Sequence, residues 1–225
     1  MIKKQNYLKH AIVLFLLLLL MQPERAWAAY ENVEFSSLTN HDGLTNSQVG
    51  AILKDTRGYI WFGTQSGLCR FDGFRMKTFY YINTDDKSLP NNSVDELQQD
   101  YGGNIWVHTS VGYCIYKYDE EQFERKPEEW LKNIHVQGPP YKLLIDKDKN
   151  MWIAVYGQGL YYHNAKTKNT YLFKFTKKAQ PGCLKEGNIS KITEVDGDVL
   201  ITYGDGTICR VNGQKQKVLW YNSFL

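Results

Sequence analysis

Proline, paired cysteines, clustered positive charge and long apolar runs are all scarce in this sequence. Six prolines against sixteen tyrosines and six tryptophans in 225 residues lean toward sheet, because flat aromatic side chains suit a pleated, half-buried surface. The four cysteines, Cys69, Cys114, Cys183 and Cys209, form no C-x-x-C pair, and their spacing does not define a disulfide framework. No dense Lys/Arg stripe exists to replace the counterions around phosphates, which excludes nucleic acid as a partner. At 43% hydrophobic and 14% aromatic, the chain has ample material for a packed core.

The single long apolar run is N-terminal. Lys3, Lys4 and Lys9 precede an eleven-residue run from Ala11 to Met21, and Ala26-Trp27-Ala28 gives the small-x-small pattern that signal peptidase reads. Residues 1–28 are therefore expected to be a signal peptide cleaved after Ala28, with Ala26 and Ala28 as the cleavage determinants. Eleven residues cover only about half of a bilayer core, which argues against a retained anchor, and no cysteine follows for lipid attachment. The expected location is periplasmic, with no membrane span once the leader is removed. The formal charge of +3 belongs to this leader, since the remainder holds 23 basic and 23 acidic residues.

What is present is a repeat. Residues 55–73 read DTRGYIWFGTQSGLCRFDG, residues 100–120 DYGGNIWVHTSVGYCIYKYDE, residues 146–166 DKDKNMWIAVYGQGLYYHNAK, and a degraded copy at 194–214 EVDGDVLITYGDGTICRVNGQ. Trp61, Trp106 and Trp152 are 45 and 46 residues apart, and Leu200 takes the Trp place 48 residues later. Six positions before each stand Asp55, Asp100, Asp146 and Glu194. Each copy decodes as short antiparallel strands. Val49 to Lys54 meets a polar Asp-x-x-Gly turn; Tyr59 to Thr64 carries the Trp; a Gly turn leads to Leu68–Phe71; Asp72-Gly73 begins a hairpin into Arg75–Tyr81. Four strands in about 45 residues make one blade of a β-propeller. The expected fold is all-β, with about four four-stranded blades near 44–81, 89–125, 140–175 and 187–222. No segment after residue 30 shows a sustained 3.6-residue apolar period; Glu120 to Lys132 comes nearest and contains Pro127. Asp55, Gly58, Trp61, Gly67, Asp100, Gly103, Trp106, Gly112, Asp146, Trp152 and Gly159 are read as repeat-defining structural residues, the tryptophans filling the wedge between blades.

The stretch LTNSQVGAILKDTRGYIWFGTQSGLCRFDG, Leu44 to Gly73, resembles the two-component regulator propeller repeat, and Leu89-Pro90-Asn91-Asn92-Ser93-Val94 opens the second copy in the same style. The lead-in Phe35-Ser36-Ser37-Leu38 with Asp42-Gly43-Leu44 is similar to the start of mature sensors of that family. The resemblance implies the periplasmic sensor of a Bacteroidetes hybrid two-component system. In such receptors two seven-bladed propellers and a β-sandwich precede a membrane helix, a histidine kinase and often a DNA-binding response regulator. It also implies detection of oligosaccharides released from glycans. About four blades fall short of seven, so the chain is expected to be an N-terminal fragment of such a receptor.

The expected partners are an oligosaccharide and, in the full-length receptor, a second copy of the chain. Candidate ligand loops, chosen for aromatic and amide content, are Tyr81 to Asn92, Gly138 to Tyr141 and Tyr156 to Gln158. No cofactor, metal or catalytic residue is expected. Asp146-x-Asp148-x-Asn150 opens like a calcium loop but has Met151 and Gly157 where an EF-hand needs Gly and Glu, and reads as a turn. Histidines 41, 108, 135 and 163 lack metal spacing and are read as solvated or hydrogen-bonded. No G-x-S-x-G elbow, phosphate loop or haem motif occurs. Two other functions remain open: a free periplasmic propeller that scaffolds other proteins, and a propeller glycoside hydrolase or lyase with carboxylates held across a cleft.

Overall fold

Among the described residues seventeen short strands follow one another from residue 49 to residue 222, and their backbone ladders form within consecutive groups. The computed structural model describes residues 37–177 and 183–222; the leader with Ala26 and Ala28, and the lead-in through Ser36, lie outside the described residues. The described residues from Leu38 onward cluster as one compact unit. Blade one is β1 (Val49–Lys54), β2 (Ile60–Thr64), β3 (Gly67–Phe71) and β4 (Met76–Phe79). Blade two is β5 (Val94–Gln99), β6 (Ile105–Thr109), β7 (Gly112–Lys117) and β8 (Gln122–Glu124). Blade three is β9 (Pro140–Ile145), β10 (Met151–Val155), β11 (Gly159–His163) and β12 (Thr170–Thr176), to which β13 (Leu184–Lys185) adds. Blade four is β14 (Ile189–Val195), β15 (Asp198–Tyr203), β16 (Ile208–Asn212) and β17 (Lys217–Asn222). The first four strands of each blade form an antiparallel meander in sequence order, the arrangement of a propeller blade.

The four expected four-stranded blades are present, and blade three carries an addition. There β13 returns to pair in parallel with the end of β12, Phe175 opposite Leu184, and makes a fifth strand. The stretch that comes nearest to a helical period does hold a short helix, starting at Pro127. That proline opens α1 (Pro127–Leu131), because the first helical position has no N–H to lose and a fixed φ suits it.

The repeating aspartates hold the repeating tryptophans. Asp55, Asp100 and Asp146 each accept at Oδ1 from the backbone N–H groups two and four residues on: Arg57 and Tyr59, Gly102 and Asn104, Asp148 and Asn150. At Oδ2 each accepts the indole N–H of the tryptophan six residues on, at 2.7, 3.0 and 3.1 Å. Gly58 and Gly103 complete the turn at φ 92° and 85°, where an L side chain is strained; in blade three Lys149 takes that strained position at φ 65°. A carboxylate as buried as Asp100, 2% exposed, is tolerated because turn amides and the indole replace its water.

Each clasped indole then fills the seam with the next blade. Trp61 lies against Tyr116 and Tyr118 of blade two, Trp106 joins Leu143, Met151 and Ile153 of blade three, and Trp152 joins Val199, Ile201 and Tyr203 of blade four. Two adjacent glutamines staple blade two to both neighbours, because successive strand residues point to opposite faces. Gln99 accepts from Thr56 N–H and donates to its hydroxyl; Gln98 accepts from Ile145 N–H and donates to Leu143 O.

Blade four abandons the clasp, and Glu194 is not the counterpart of Asp55. A two-residue Asp196-Gly197 turn, φ 52° and 79°, replaces the five-residue one. In strand pairing Leu200 lies opposite Thr193 as Trp61 lies opposite Leu53, so the register of the preceding strand moves by one residue. Glu194 instead reaches back to Lys147 of blade three at 2.7 Å, while Asp198 holds Arg210 at 2.6 Å and Asn212.

His163 is a hydrogen-bonded histidine, through Nδ1 to Thr170 at 2.9 Å, and it is buried rather than solvated. It is 1% exposed, its Nε2 has no partner, and Tyr101 of blade two lies 5.7 Å away, ring to ring. The Thr170 hydroxyl donates to Ile134 O and so accepts from His163 Nδ1, which fixes the proton on Nδ1 and leaves Nε2 bare.

Two predictions follow from these contacts. Asp100→Asn and Trp106→Phe each cost about 1–3 kcal/mol in denaturant unfolding, and the double variant costs at least about 0.5 kcal/mol less than their sum; additive losses contradict the clasp. Burial, with the Lys168 and His135 charges, holds the His163 imidazole below its ordinary value. The unfolded side chain therefore takes up a proton that the folded one resists, and stability falls as pH drops below about 6.5. Thermal midpoints measured between about pH 8 and about pH 5 fall less in His163→Gln than in the parent; coincident profiles contradict this assignment.

Candidate functional site

The meander gives each blade two ends of different character. One carries the Asp clasps and the β3–β4 type turns. The other carries the β2–β3 type hairpins and the links from blade to blade. Asp55, Gly58, Asp100, Gly103 and Asp146 lie at the first, while Gly67, Gly112 and Gly159 lie at the second. Gly159 is required there: a Cβ on it would sit 2.1 Å from Phe173 O, at φ 147°. Thr64 and Thr109 close their hairpins by donating to Gly67 O and Gly112 O.

Between blades two and three the second end opens into a hollow of about 460 Å³. Its walls come from the β6–β7 hairpin, the link from β8 to β9 and the β10–β11 turn. Two of the three aromatic and amide loops meet here. Tyr141 and Tyr156 stack with ring centroids 3.9 Å apart and planes at 18°, and Tyr156 is 65% exposed. Gln158 ties the loops together: its amide donates to Gln137 O at 2.9 Å and accepts from the Tyr161 hydroxyl. Tyr141 is anchored from behind, its hydroxyl accepting Ile189 N–H at 3.3 Å, and burial pushes that phenol up.

The opposite wall is polar. His108 Nδ1 meets Asp95 Oδ1 at 2.6 Å, and the imidazole lies 4.5 Å from the Tyr113 ring. Tyr113 donates to Glu96 and accepts from Leu143 N–H at 3.1 Å; burial and the Glu96 charge push its pKa well up, so it remains a neutral donor. Glu128 and Arg125 complete the wall. The third loop, Tyr81 to Asn92, lies apart, beside a second hollow of about 300 Å³ between blades one and two. Arg125 connects the two places, donating to Asp85 O, Ser88 O and Leu89 O.

Sequence reasoning took His108 only as a solvated or hydrogen-bonded residue and did not single out Asp95, Glu96, Arg125 or Glu128. A signal did exist for two of them, since Asp95-Glu96 interrupts the apolar inner strand between Val94 and Leu97. The Asp146-x-Asp148-x-Asn150 stretch is a turn with both Asp146 oxygens occupied by turn and indole donors. Among the described residues no group of three His, Cys, Asp or Glu side chains could hold a metal, and no helix is long and apolar enough to cross a membrane. An aromatic stack beside bonded carboxylates and an imidazole suits a ligand with apolar faces and hydroxyl edges.

Comparison with known proteins gives the same architecture. Residues 43–66 match the two component regulator propeller model. A curated histidine kinase of Formosa agariphila is 41% identical over 61 residues, which is 27% of this chain and 4% of the kinase. The extracellular domain of BT3049 from B. thetaiotaomicron, described as a hybrid two component system, superposes with TM-score 0.58 at 23% identity, over 84% of this chain and 26% of that one. The extracellular domain of BT4673, described as a one component system of the same organism, gives 0.51 at 17% identity, over 82% and 27%. The chain thus spans about a quarter of these solved domains. It carries the two component regulator propeller repeat on a blade fold shared with extracellular domains of two-component systems.

Proposed function

We propose that this chain is the ligand-sensing propeller region of an exported two-component regulator, and that the hollow between blades two and three binds an oligosaccharide released from a glycan. The observation that carries the reading is the parallel Tyr141–Tyr156 stack, one ring largely exposed, at the mouth of a hollow rimmed by hydrogen-bonding groups. A sugar ring lays its C–H face on such a platform while its hydroxyls meet the polar wall. The hollow's size falls within the range of small-ligand sites. In this reading the propeller binds and does not catalyse. It passes occupancy to a kinase elsewhere in the receptor, from the periplasmic side of the membrane.

Titration calorimetry of the full chain against a panel of oligosaccharides tests this. At least one binds, and Tyr156→Ala weakens it about tenfold, close to 1.4 kcal/mol, without lowering the thermal midpoint. Binding that is indifferent to Tyr156→Ala contradicts the site. Release of reducing ends from a polysaccharide by the purified chain contradicts the non-catalytic role.

A further inference from the structure

The wall opposite the tyrosine platform carries an excess of negative charge. Glu128 lines the hollow, Asp95 sits behind it on His108, and Glu96 sits behind it on Tyr113. Three carboxylates thus outnumber the two basic side chains of this wall, His108 and Arg125. His108 is held by Asp95 at 2.6 Å. Arg125 points its Nε and Nη2 at the 85–89 loop, where Ser88 O, Asp85 O, Leu89 O and the Ser88 hydroxyl accept them. The Tyr113 hydroxyl spends its proton on Glu96. An acidic ligand would therefore meet an excess of like charge, with the Arg125 Nε and Nη2 already turned to the 85–89 loop. Like-charge juxtaposition is costly in a partly enclosed site and weakens with salt. Uncharged hydroxyls meet no such penalty, and carboxylate oxygens accept their protons readily.

We infer that the hollow selects uncharged oligosaccharides and rejects acidic ones, whether the acid is a uronate or a sulfate ester. This rests on the oligosaccharide reading above. It assigns the discrimination to Asp95, Glu96 and Glu128, and makes the tyrosine platform indifferent to charge.

The test uses the full chain and tetrasaccharides in matched pairs: galactose with galacturonate, mannose with mannuronate, glucose with glucuronate. The expected result is that a neutral member binds in a Tyr156-dependent manner while its acidic twin binds at least about tenfold more weakly. That gap narrows between about 20 mM and about 500 mM salt, and Glu128→Gln narrows it further by strengthening the acidic twin alone. Acidic tetrasaccharides that bind through Tyr156 as tightly as their neutral twins overturn the inference and leave the oligosaccharide reading standing. Failure of every pair to bind overturns both.

Discussion

A buried carboxylate must be answered by donors, and in this propeller the answer organises each clasped blade. Asp55, Asp100 and Asp146 each gather two turn amides at one oxygen and an indole N–H at the other. The turn can form only with the chain curled around the carboxylate, and the indole can reach it only in one orientation. One interaction therefore fixes both the hairpin and the direction of the largest side chain in the blade. That side chain is also what the next blade packs against, so local turn chemistry is converted into the seam between sheets. The charge-assisted bonds that do this are stronger than neutral ones and expensive to leave unmade.

The consequence for function is a division between the two ends. The clasped end spends its polar groups on itself. The other end closes its hairpins with glycines at positive φ and threonine hydroxyls, which leaves the tips and the blade-to-blade links free to carry Tyr156, Glu128 and Arg125. Seam two–three opens there because its link is long and folds into α1, whose Leu131, with Ile134 and Val136 beyond it, sinks into the seam below the hollow. Loops on a rigid scaffold are the usual place for recognition, and the scaffold here is rigid for the reason given by the clasp.

Much of the fold was legible because the spacing of Trp61, Trp106 and Trp152 and the Asp six residues before each are features of composition at fixed intervals. Strand limits followed closely, with Val49–Lys54 coinciding and Arg75–Tyr81 contracting to Met76–Phe79. The bond between each Asp and its indole was not legible, since a turn alone explains an aspartate. That Pro127 opens a helix was not legible, because its position within one, first or later, depends on the link's path. Glu194 was misaligned because counting along a chain cannot see a turn that has lost residues. Of the hollow, Tyr141 and Tyr156 were found through their loops' composition. His108 with Asp95, and Tyr113 with Glu96, were not, because those pairs join strands whose register only the folded sheet sets.

The most direct test of this account is an NMR titration of the isotope-labelled full chain with the neutral oligosaccharides proposed as its ligands. The account predicts shift changes at Gly112, Tyr156 and Gln158, with the indole N–H signals of Trp61 and Trp152 and the amides of the Asp55 and Asp146 turns left in place. Changes concentrated at the clasp turns, with the hollow silent, would contradict it.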